Sequence, residues 1–187
     1  QIDGLSDSFS TPSCFDYTLT NSGPITVVAG NSTQETIYEN LVGGTTLAVN
    51  LSVSPLPAGA SVSAISNNPC FPNCQSVISI DTTPATPAGT YPITVTGDRG
   101  PKTTVFDLTV QAPAPPTITL TASPNPVAYN TASTLSWVVS GIATSCTASG
   151  SGSWPGSKNP SGGTESTGLL TSAQTYSIFC SGPGGTG

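Results

Sequence analysis

The sequence predicts an all-β protein composed of two tandem β-sandwiches, and three features support this class. Charged residues make up only 6% of the 187 residues, whereas soluble globular domains usually contain roughly 25%. The 20 glycines and 18 prolines supply many turns. Valine, isoleucine, leucine and threonine alternate with polar residues in short runs, which is the period-two pattern of strands.

The first predicted domain covers residues 15–111 and consists of short alternating segments separated by turn-forming sequences. Seven or eight short strands in a domain of this length are typical of an immunoglobulin-like sandwich. Residues 1–14 precede it as a polar N-terminal arm with isolated apolar residues at Ile2, Leu5 and Phe9. The predicted strands are 15–20, 25–29, 33–42, 46–54, 61–65, 75–81, 90–97 and 103–111.

The second predicted domain covers residues 117–187 and follows a proline-rich segment. Residues 112–116 (APAPP) favour the polyproline II conformation and are predicted to act as a semi-rigid linker. A Gly/Ser-rich stretch at 150–163 is expected to form a loop. The predicted strands of this domain are 117–122, 133–139, 143–149, 166–170 and 175–181.

The last fourteen residues predict a core strand followed by a turn. Tyr176, Ile178 and Cys180 fall on one face of the strand, and the intervening residues fall on the other. The sequence Gly182-Pro183-Gly184-Gly185 predicts a hairpin turn, which requires a partner strand. Because the sequence ends two residues later, the second sandwich is expected to lack its final strand.

The charge and residue inventory excludes several functional classes. With three cations, Arg99, Lys102 and Lys158, and a net charge of −6, no basic surface for nucleic acid is expected. No apolar run approaches the roughly 18 residues of a membrane-spanning helix. The sequence has no histidine, so Ser-His chemistry is excluded and the scattered acids suggest no paired-carboxylate site. Neither enzymatic activity nor a cofactor is expected.

Several sequence blocks together resemble the immunoglobulin-like repeat modules of bacterial secreted and cell-surface proteins. The first domain contains TLAVNLSVSPLPAGASVS, NPCFPNCQSVISI, TPAGTYPITVTG and TTVFDLTV, and the second contains ITLTASPNPV, STLSW, ATSCTASG and TYSIFCSGPGG. The resemblance covers nearly everything from Phe15 onward and implies stalk, spacer, adhesin or fibre roles. In such modules a strand rich in valine and threonine follows the GPGG turn.

The five cysteines indicate an oxidising, extracellular or cell-surface location, because their spacings match no zinc site. Cys146 and Cys180 resemble the buried disulfide of a sandwich and are expected to bridge its two sheets, with Cα atoms roughly 4.4 to 6.8 Å apart. The spacing of Cys70 and Cys74 resembles a local loop disulfide of such modules, with a redox pair or half of a metal site as the alternatives. Cys14 is left as a buried unpaired cysteine, an intermolecular bond, or a rearranged partner of Cys70 or Cys74.

Two further patterns suggest contacts with sugars. Asn31-Ser32-Thr33 and Asn50-Leu51-Ser52 match the N-glycosylation acceptor sequence. Trp154, with Tyr129 or Trp137, has an aromatic ring that can stack on a sugar, while the alternative is that Trp137 lies in the core and Trp154 covers the sandwich edge.

Together these features predict a structural subunit of an extracellular filament or surface fibre. The expected partners are other copies of the chain, joined head to tail when the arm of one copy fills the open edge of the next. Leu5 and Phe9 share a face of an extended arm, and Ile2 faces the other way. The alternative is a carbohydrate-binding or adhesin/spacer module from a larger cell-surface protein, with glycans as partners.

Overall fold

Two compact units make up the chain, the first ending at Gln111 and the second covering Ala112–Gly187. The computed structural model describes residues 14–187. The predicted donor residues Ile2, Leu5 and Phe9 lie outside the described residues. Every regular element of the described chain is a strand.

Two four-stranded sheets form the first unit. One sheet has the order β1-β3-β6-β5 and the other β2-β8-β7-β4, and all pairings are antiparallel except β2 with β8. The strands are β1 (Asp16–Asn21), β2 (Ile25–Val28), β3 (Ser32–Gly43), β4 (Leu51–Val53), β5 (Ala60–Ile65), β6 (Cys74–Thr82), β7 (Gly89–Gly97) and β8 (Lys102–Gln111).

Alternating residues of these strands build the core of the first unit, because successive side chains of a strand point to opposite faces. Ile78 and Ile80 of β6 are buried on one sheet, and Ile93 and Val95 of β7 are buried on the other. The same period buries Leu108 of β8. The resulting sandwich confirms the all-β, immunoglobulin-like class predicted from the sequence.

The second unit has a three-stranded sheet in the order β13-β10-β9 and a four-stranded sheet in the order β12-β11-β14-β15. Its core contains Leu135, Trp137, Ala148 and Trp154. The strands are β9 (Thr117–Ser123), β10 (Thr131–Ser140), β11 (Ser145–Ser149), β12 (Gly156–Lys158), β13 (Gly163–Leu170), β14 (Ser177–Gly182) and β15 (Gly185–Thr186).

The Gly/Ser-rich stretch at 150–163 is more ordered than the sequence suggests. It contains β12, which pairs with β11, and it places Trp154 in the core. The loop prediction is wrong here because composition hides a short strand and one large apolar side chain, whose burial outweighs the flexibility of the surrounding glycines.

A short hairpin ends the described chain. Ser181 pairs with Thr186 and Gly182 with Gly185, so the predicted turn is present. Cys180 and Gly187 also exchange backbone hydrogen bonds of 3.2 and 2.9 Å. The expectation that the turn has no partner strand is therefore wrong for these residues, because β15 already pairs with the end of β14.

The proline-rich segment belongs to the second unit and packs against this hairpin. A Cβ atom on Gly184 would overlap backbone atoms of Pro113 and Ala114, and one on Gly187 would overlap Pro116. Backbones can approach this closely only where one partner has no side chain. Residues 113–116 thus make contacts that an isolated spacer would lack.

Among the described residues, no helix is long and apolar enough to cross a membrane.

Candidate functional site

A buried carboxyl group and a disulfide meet inside the first unit. Glu39 lies on β3, and the register of β3 with β6 places it opposite Cys74. Cys70 lies in the loop before β6, where it is joined to Cys74 by a disulfide. A carboxylate oxygen of Glu39 and the two Sγ atoms all lie within 4.8 Å of one another. This group is called the acid–disulfide cluster below.

Strand alternation explains why Glu39 is inside the sandwich. Glu35, Ile37 and Glu39 occupy alternate positions of β3, and all three are fully buried. Glu39 Oε1 accepts a hydrogen bond of 2.8 Å from Ser76 Oγ. Its Oε2 has no hydrogen-bond partner among the described residues. Burial raises the pKa of Glu39, and the Ser76 hydrogen bond opposes this only in part.

Glu35 is a useful comparison because it shares the strand face but has a different environment. Its Oε1 accepts hydrogen bonds of 2.7 Å from both the backbone N–H and the hydroxyl of Ser22. It therefore fixes the turn after β1. The acid–disulfide cluster does not include it.

Backbone pairing holds the cysteine loop in place. Cys70 forms an isolated bridge with Val49, with backbone hydrogen bonds of 2.8 and 3.0 Å. The predicted strand 46–54 is consequently shorter than expected, because Val49 pairs with the loop and only Leu51–Val53 joins a sheet. On the far side of the loop, Asn73 N–H donates to the Glu39 carbonyl over 2.7 Å.

The two sulfur-bearing residues differ in accessibility. Cys70 is 1% exposed, and Asn67 Nδ2 donates to its Sγ over 3.5 Å. Cys74 is half-buried. Between them Phe71 is 60% exposed, so the loop reaches the surface. The disulfide is therefore inaccessible to solvent at Cys70 and partly accessible at Cys74.

Tyr17 on β1 is a second polar group at this end of the core. Its hydroxyl has no hydrogen-bond partner among the described residues, and a Cβ on Gly97 would overlap it. Burial raises the pKa of Tyr17, and the charges of Asp98 and Glu39 raise it further. The core therefore contains a phenol and a carboxyl group that both favour their neutral forms.

The sulfur atoms of the acid–disulfide cluster are already bonded to each other, so they offer no thiolate ligands to a metal ion in this state. The chemistry open to a carboxyl group beside a disulfide is proton transfer coupled to thiol–disulfide exchange. The sequence patterns considered above do not predict that Glu39 is buried. The signal in the sequence is that two glutamates share a strand face with Ile37.

The second disulfide has a different setting. Cys146 of β11 pairs directly with Cys180 of β14, with Cα atoms 4.0 Å apart, and both residues are buried. The pairing is as expected, but the expectation that it bridges the two sheets is wrong, since β11 and β14 are neighbours in one sheet. The Cα spacing also falls below the expected range and is close to that of a non-hydrogen-bonded antiparallel pair.

Cys14 is exposed and has no disulfide partner. The interpretation as a buried core cysteine is therefore wrong. A rearranged bond to Cys70 or Cys74 is also contradicted, because those two cysteines pair with each other.

The two glycosylation motifs both lie at the surface. Asn31 and Asn50 are exposed. The Asn50 side chain donates to Asp98 Oδ2 over 2.8 Å. Hydrogen bonds from Asn50 hold the pKa of Asp98 below its usual value.

Trp154 is unavailable for sugar stacking because it is fully buried in the second unit. Its ring packs edge-on against Trp137 at 5.4 Å and Tyr176 at 6.3 Å, and its Nε1–H donates to the Ser177 carbonyl over 3.0 Å. Lys158 Nζ lies 4.8 Å from the ring centroid. Trp154 is thus a core residue, as is Trp137.

An open groove of about 640 Å³ lies in the second unit between the β9–β10 connection and the β13–β14 connection. Tyr129 lines it and is 79% exposed. Deeper in the groove lie Leu135 and Tyr176. In this groove of the second unit, an exposed aromatic ring therefore lies beside apolar side chains.

Comparisons with known proteins give only structural similarities. No family model matches the chain, and no curated protein matches it. Domains 4 and 5 of the S-layer protein SbsC share 16% identity over 55% of this chain and 53% of that one, with a TM-score of 0.38. A chimeric titin Z1Z2-Z1Z2 tandem shares 18% identity over 95% of each chain, with a TM-score of 0.34.

A third similar structure contains the N-terminal eight Ig domains of Down Syndrome Cell Adhesion Molecule. It shares 14% identity over 91% of this chain and 23% of that one, with a TM-score of 0.36. The chain thus spans about half of the SbsC fragment and a smaller share of the adhesion molecule. At these identities and TM-scores, the similarities carry no argument about function.

Proposed function

We propose that the chain is a structural module of an extracellular or cell-surface protein. The observation that carries this proposal is that each of its two sandwiches has its own core and its own disulfide. Disulfides persist in oxidising locations. Tandem sandwiches of this kind provide length and a folded surface without needing an active site.

Four of the described acidic side chains make contacts that support a structural role. Asp16 pairs with Lys102 at 2.9 Å, and Glu165 pairs with Lys158 at 2.5 Å. Asp98 binds Asn50, while Glu35 binds the Ser22 turn. These groups hold the fold together, and none of them lines the groove of the second unit.

Surface labelling of intact source cells tests the location. A membrane-impermeant biotin reagent directed at amines is expected to label Lys102, whose side chain is 41% exposed. Lys158, at 9% exposed, is the internal control and should label poorly until the protein is denatured. Labelling that appears only after cell lysis would contradict the proposed location.

Assembly through strand addition is the finer part of the proposal. Cys180 uses its backbone N–H and C=O to bond Gly187 on the β15 side. Ile178, two residues earlier on the same strand, faces that side as well. Among residues 14–187 no strand pairs with it there. Unpaired strand backbone of this kind is where an added strand binds.

The N-terminal arm of another copy is the proposed donor. If the arm binds as an extended strand, the odd-numbered Leu5 and Phe9 would share one face and enter the apolar side of the acceptor. Because donor and acceptor are at opposite ends of the chain, each copy can give to one neighbour and receive from another. Such a head-to-tail contact propagates as a filament unless it closes into a ring.

Sedimentation and negative-stain microscopy of purified chains test the assembly. The intact chain should form polymers that the double variant Leu5→Ser/Phe9→Ser does not form. The matched control Ser6→Ala/Ser8→Ala changes the other face of the arm and should still polymerise. Polymers formed by the Leu5→Ser/Phe9→Ser variant would refute the donor assignment, and an intact chain that stays monomeric at every concentration would refute assembly through strand addition.

Cys14 gives a second means of detecting such an assembly. It is exposed and is the last residue of the arm in sequence. We propose that it forms a bond between copies in the assembled state. Non-reducing electrophoresis should then show dimers that Cys14→Ser abolishes while polymers still form.

A second candidate function is glycan binding in the groove of the second unit, favoured by the exposed ring of Tyr129. Aromatic faces beside polar groups are suited to sugar rings. On a glycan array, Tyr129→Ala should abolish binding, whereas Phe71→Ala, an exposed aromatic residue of the first unit, should not. No binding of the intact chain to any polysaccharide would refute this function.

A further inference from the structure

We propose that the acid–disulfide cluster is a thiol–disulfide exchange site, in which Cys70 and Cys74 react reversibly with an external dithiol and Glu39 carries the proton to and from Cys70. This activity goes beyond the structural role proposed above. It would let the first unit respond to the thiol content of its surroundings.

The placement of the Glu39 carboxyl group is the first support. It lies within 4.8 Å of both sulfur atoms. Its Oε2 is buried with no hydrogen-bond partner among the described residues. Buried polar atoms are almost always hydrogen-bonded, so one that is not has a cost in the folded state. Glu35 Oε2 is buried without a partner as well, so it is the position of the Glu39 carboxyl group beside the sulfur atoms that singles it out.

The asymmetry of the disulfide is the second support, because it sets which sulfur is attacked. Cys74 is half-buried, whereas Cys70 is 1% exposed. An incoming thiolate therefore attacks Cys74 Sγ, and Cys70 Sγ is the leaving group. If Cys70 received no proton as it left, it would become a thiolate in a buried position, which is unfavourable.

Two polar groups lie close to Cys70 Sγ and can act on it as the disulfide breaks. The Asn67 side chain donates a hydrogen bond to it over 3.5 Å. A carboxylate oxygen of Glu39 lies within 4.8 Å of it. A hydrogen bond from Asn67 stabilises the developing charge, and a proton from Glu39 removes it.

The exchange balances in two steps. The first thiolate of the dithiol bonds to Cys74 Sγ while the S–S bond breaks, and the electron pair goes to Cys70 Sγ, which takes the proton of Glu39. The second thiolate of the dithiol then attacks its partner sulfur in the mixed disulfide and releases Cys74, which is protonated from solvent. The dithiol leaves as a disulfide, Glu39 regains a proton from solvent, and the reverse sequence reoxidises the protein.

The protonation state of Glu39 fits this role. Burial raises the pKa of Glu39, so the carboxyl group keeps its proton to higher pH than an exposed glutamate. The other described groups facing it are the phenol of Tyr17 on β1, whose pKa burial also raises, and the uncharged Ser76 on β6. Neither provides a positive charge that would favour the carboxylate.

The test measures reduction of the folded, full-length chain by dithiothreitol. Samples are quenched with acid, alkylated and mapped by mass spectrometry, so the two disulfides are followed separately. Cys70–Cys74 should be reduced first, while Cys146–Cys180, buried in the second unit, remains oxidised. A Cys70–Cys74 bond that opens no faster than Cys146–Cys180 would overturn the proposal.

The variants Glu39→Gln and Glu35→Gln separate proton transfer from packing. Both replace a fully buried carboxyl group of β3 by an amide of equal size, but only the first removes a proton donor beside the sulfurs. General acids contribute roughly 10²- to 10⁴-fold, so Glu39→Gln should slow reduction of Cys70–Cys74 by at least about tenfold. Glu35→Gln should change it by less than about threefold. Equal rates for the two variants, or faster reduction of Glu39→Gln, would refute the assignment of Glu39.

The pH dependence of the reduction rate of the unmodified chain is an independent measurement. It does not require any variant to fold. The reduction rate is divided by the concentration of dithiothreitol thiolate at each pH. This ratio should fall as pH rises through the pKa of Glu39, since the proton donor is lost. A ratio that does not change with pH would overturn the proposal.

Discussion

Trp154 shows how one side chain can organise a glycine-rich region. Two aromatic contacts, a cation–π contact with Lys158 and a hydrogen bond hold it in the core, although it lies in a stretch dominated by Gly and Ser. Its burial turns what composition predicts to be a loop into part of the second sandwich.

We expect Trp154→Ala to destabilise the second unit by about 3 to 5 kcal/mol, as is usual when a buried aromatic ring is removed. Urea denaturation followed by the fluorescence of Trp137 measures this, since these are the two tryptophans of the chain. The matched change Tyr129→Ala removes a ring that is 79% exposed and should cost less than about 0.5 kcal/mol. Equal costs would contradict the burial of Trp154.

Glu39 should give the first unit a distinctive pH dependence. Because its pKa is raised in the folded state, folding favours the protonated acid. That stabilisation is complete below the unfolded pKa and is lost as pH rises through the folded pKa. The depressed pKa values of Asp16 and Asp98 act in the opposite sense, with stability lost as pH falls.

Comparing the unmodified chain with Glu39→Gln isolates this effect. Above the unfolded pKa of Glu39, the variant should become more stable relative to the unmodified chain as pH rises, and the difference should level off above the folded pKa. Urea denaturation of the first unit by circular dichroism at a series of pH values measures it. A difference that is constant with pH would show that Glu39 has the same pKa in both states.

At the scale of single residues, the sequence predicts which nearby cysteines pair better than it predicts whether a side chain is buried. The Cys70–Cys74 pair follows from spacing and resemblance, because four residues allow a loop closure. The burial of Glu39 does not follow, because a glutamate in a strand usually faces solvent. Its position depends on the register of β3 against β6, which brings Ser76 and Cys74 beside it and which no local pattern encodes.

The two disulfides close loops of different length. Cys146–Cys180 joins residues 34 apart, whereas Cys70–Cys74 joins residues 4 apart. In the chain-entropy model the longer loop gives the larger stabilisation. Cys146–Cys180 should therefore contribute about 4 kcal/mol and Cys70–Cys74 about 2 kcal/mol.

The double variants Cys146→Ala/Cys180→Ala and Cys70→Ala/Cys74→Ala form a natural pair for this comparison. We expect Cys146→Ala/Cys180→Ala to destabilise the second unit about twice as much as Cys70→Ala/Cys74→Ala destabilises the first unit. Urea denaturation of each unit under non-reducing conditions gives both values. The reverse order would mean that packing around the sulfurs outweighs loop closure.

Most strands of the fold follow from alternation, and the failures have physical causes. The predicted strands at 33–42 and 103–111 match β3 and β8 to within one residue at each end, because their alternation is long and regular. The strands β12 and β15 are not predicted from the sequence, because three and two residues are too short to show a period. The predicted strand 46–54 is longer than β4 because its alternation continues through Val49, which pairs with Cys70 instead of joining the sheet.

The molecule as a whole consists of two cores that share no residues. The first is built by aliphatic side chains such as Ile37 and Ile78, and the second by the pair Trp137 and Trp154. The two compact units divide between Gln111 and Ala112, where the proline-rich segment begins. The contact of residues 113–116 with Gly184 and Gly187 could not be predicted, because it joins segments from opposite ends of the second unit.

Separate cores imply that each unit responds to its own substitutions. Ile37→Ala and Leu135→Ala each empty a buried position, one in each core, and each should cost about 2 to 5 kcal/mol. Tryptophan fluorescence reports only on the second unit, since Trp137 and Trp154 both lie there, whereas circular dichroism reports on both. In urea, Leu135→Ala should therefore lower the fluorescence midpoint, and Ile37→Ala should lower only a circular dichroism transition. If Ile37→Ala moved the fluorescence midpoint as far as Leu135→Ala does, the two sandwiches would have to unfold as one cooperative block.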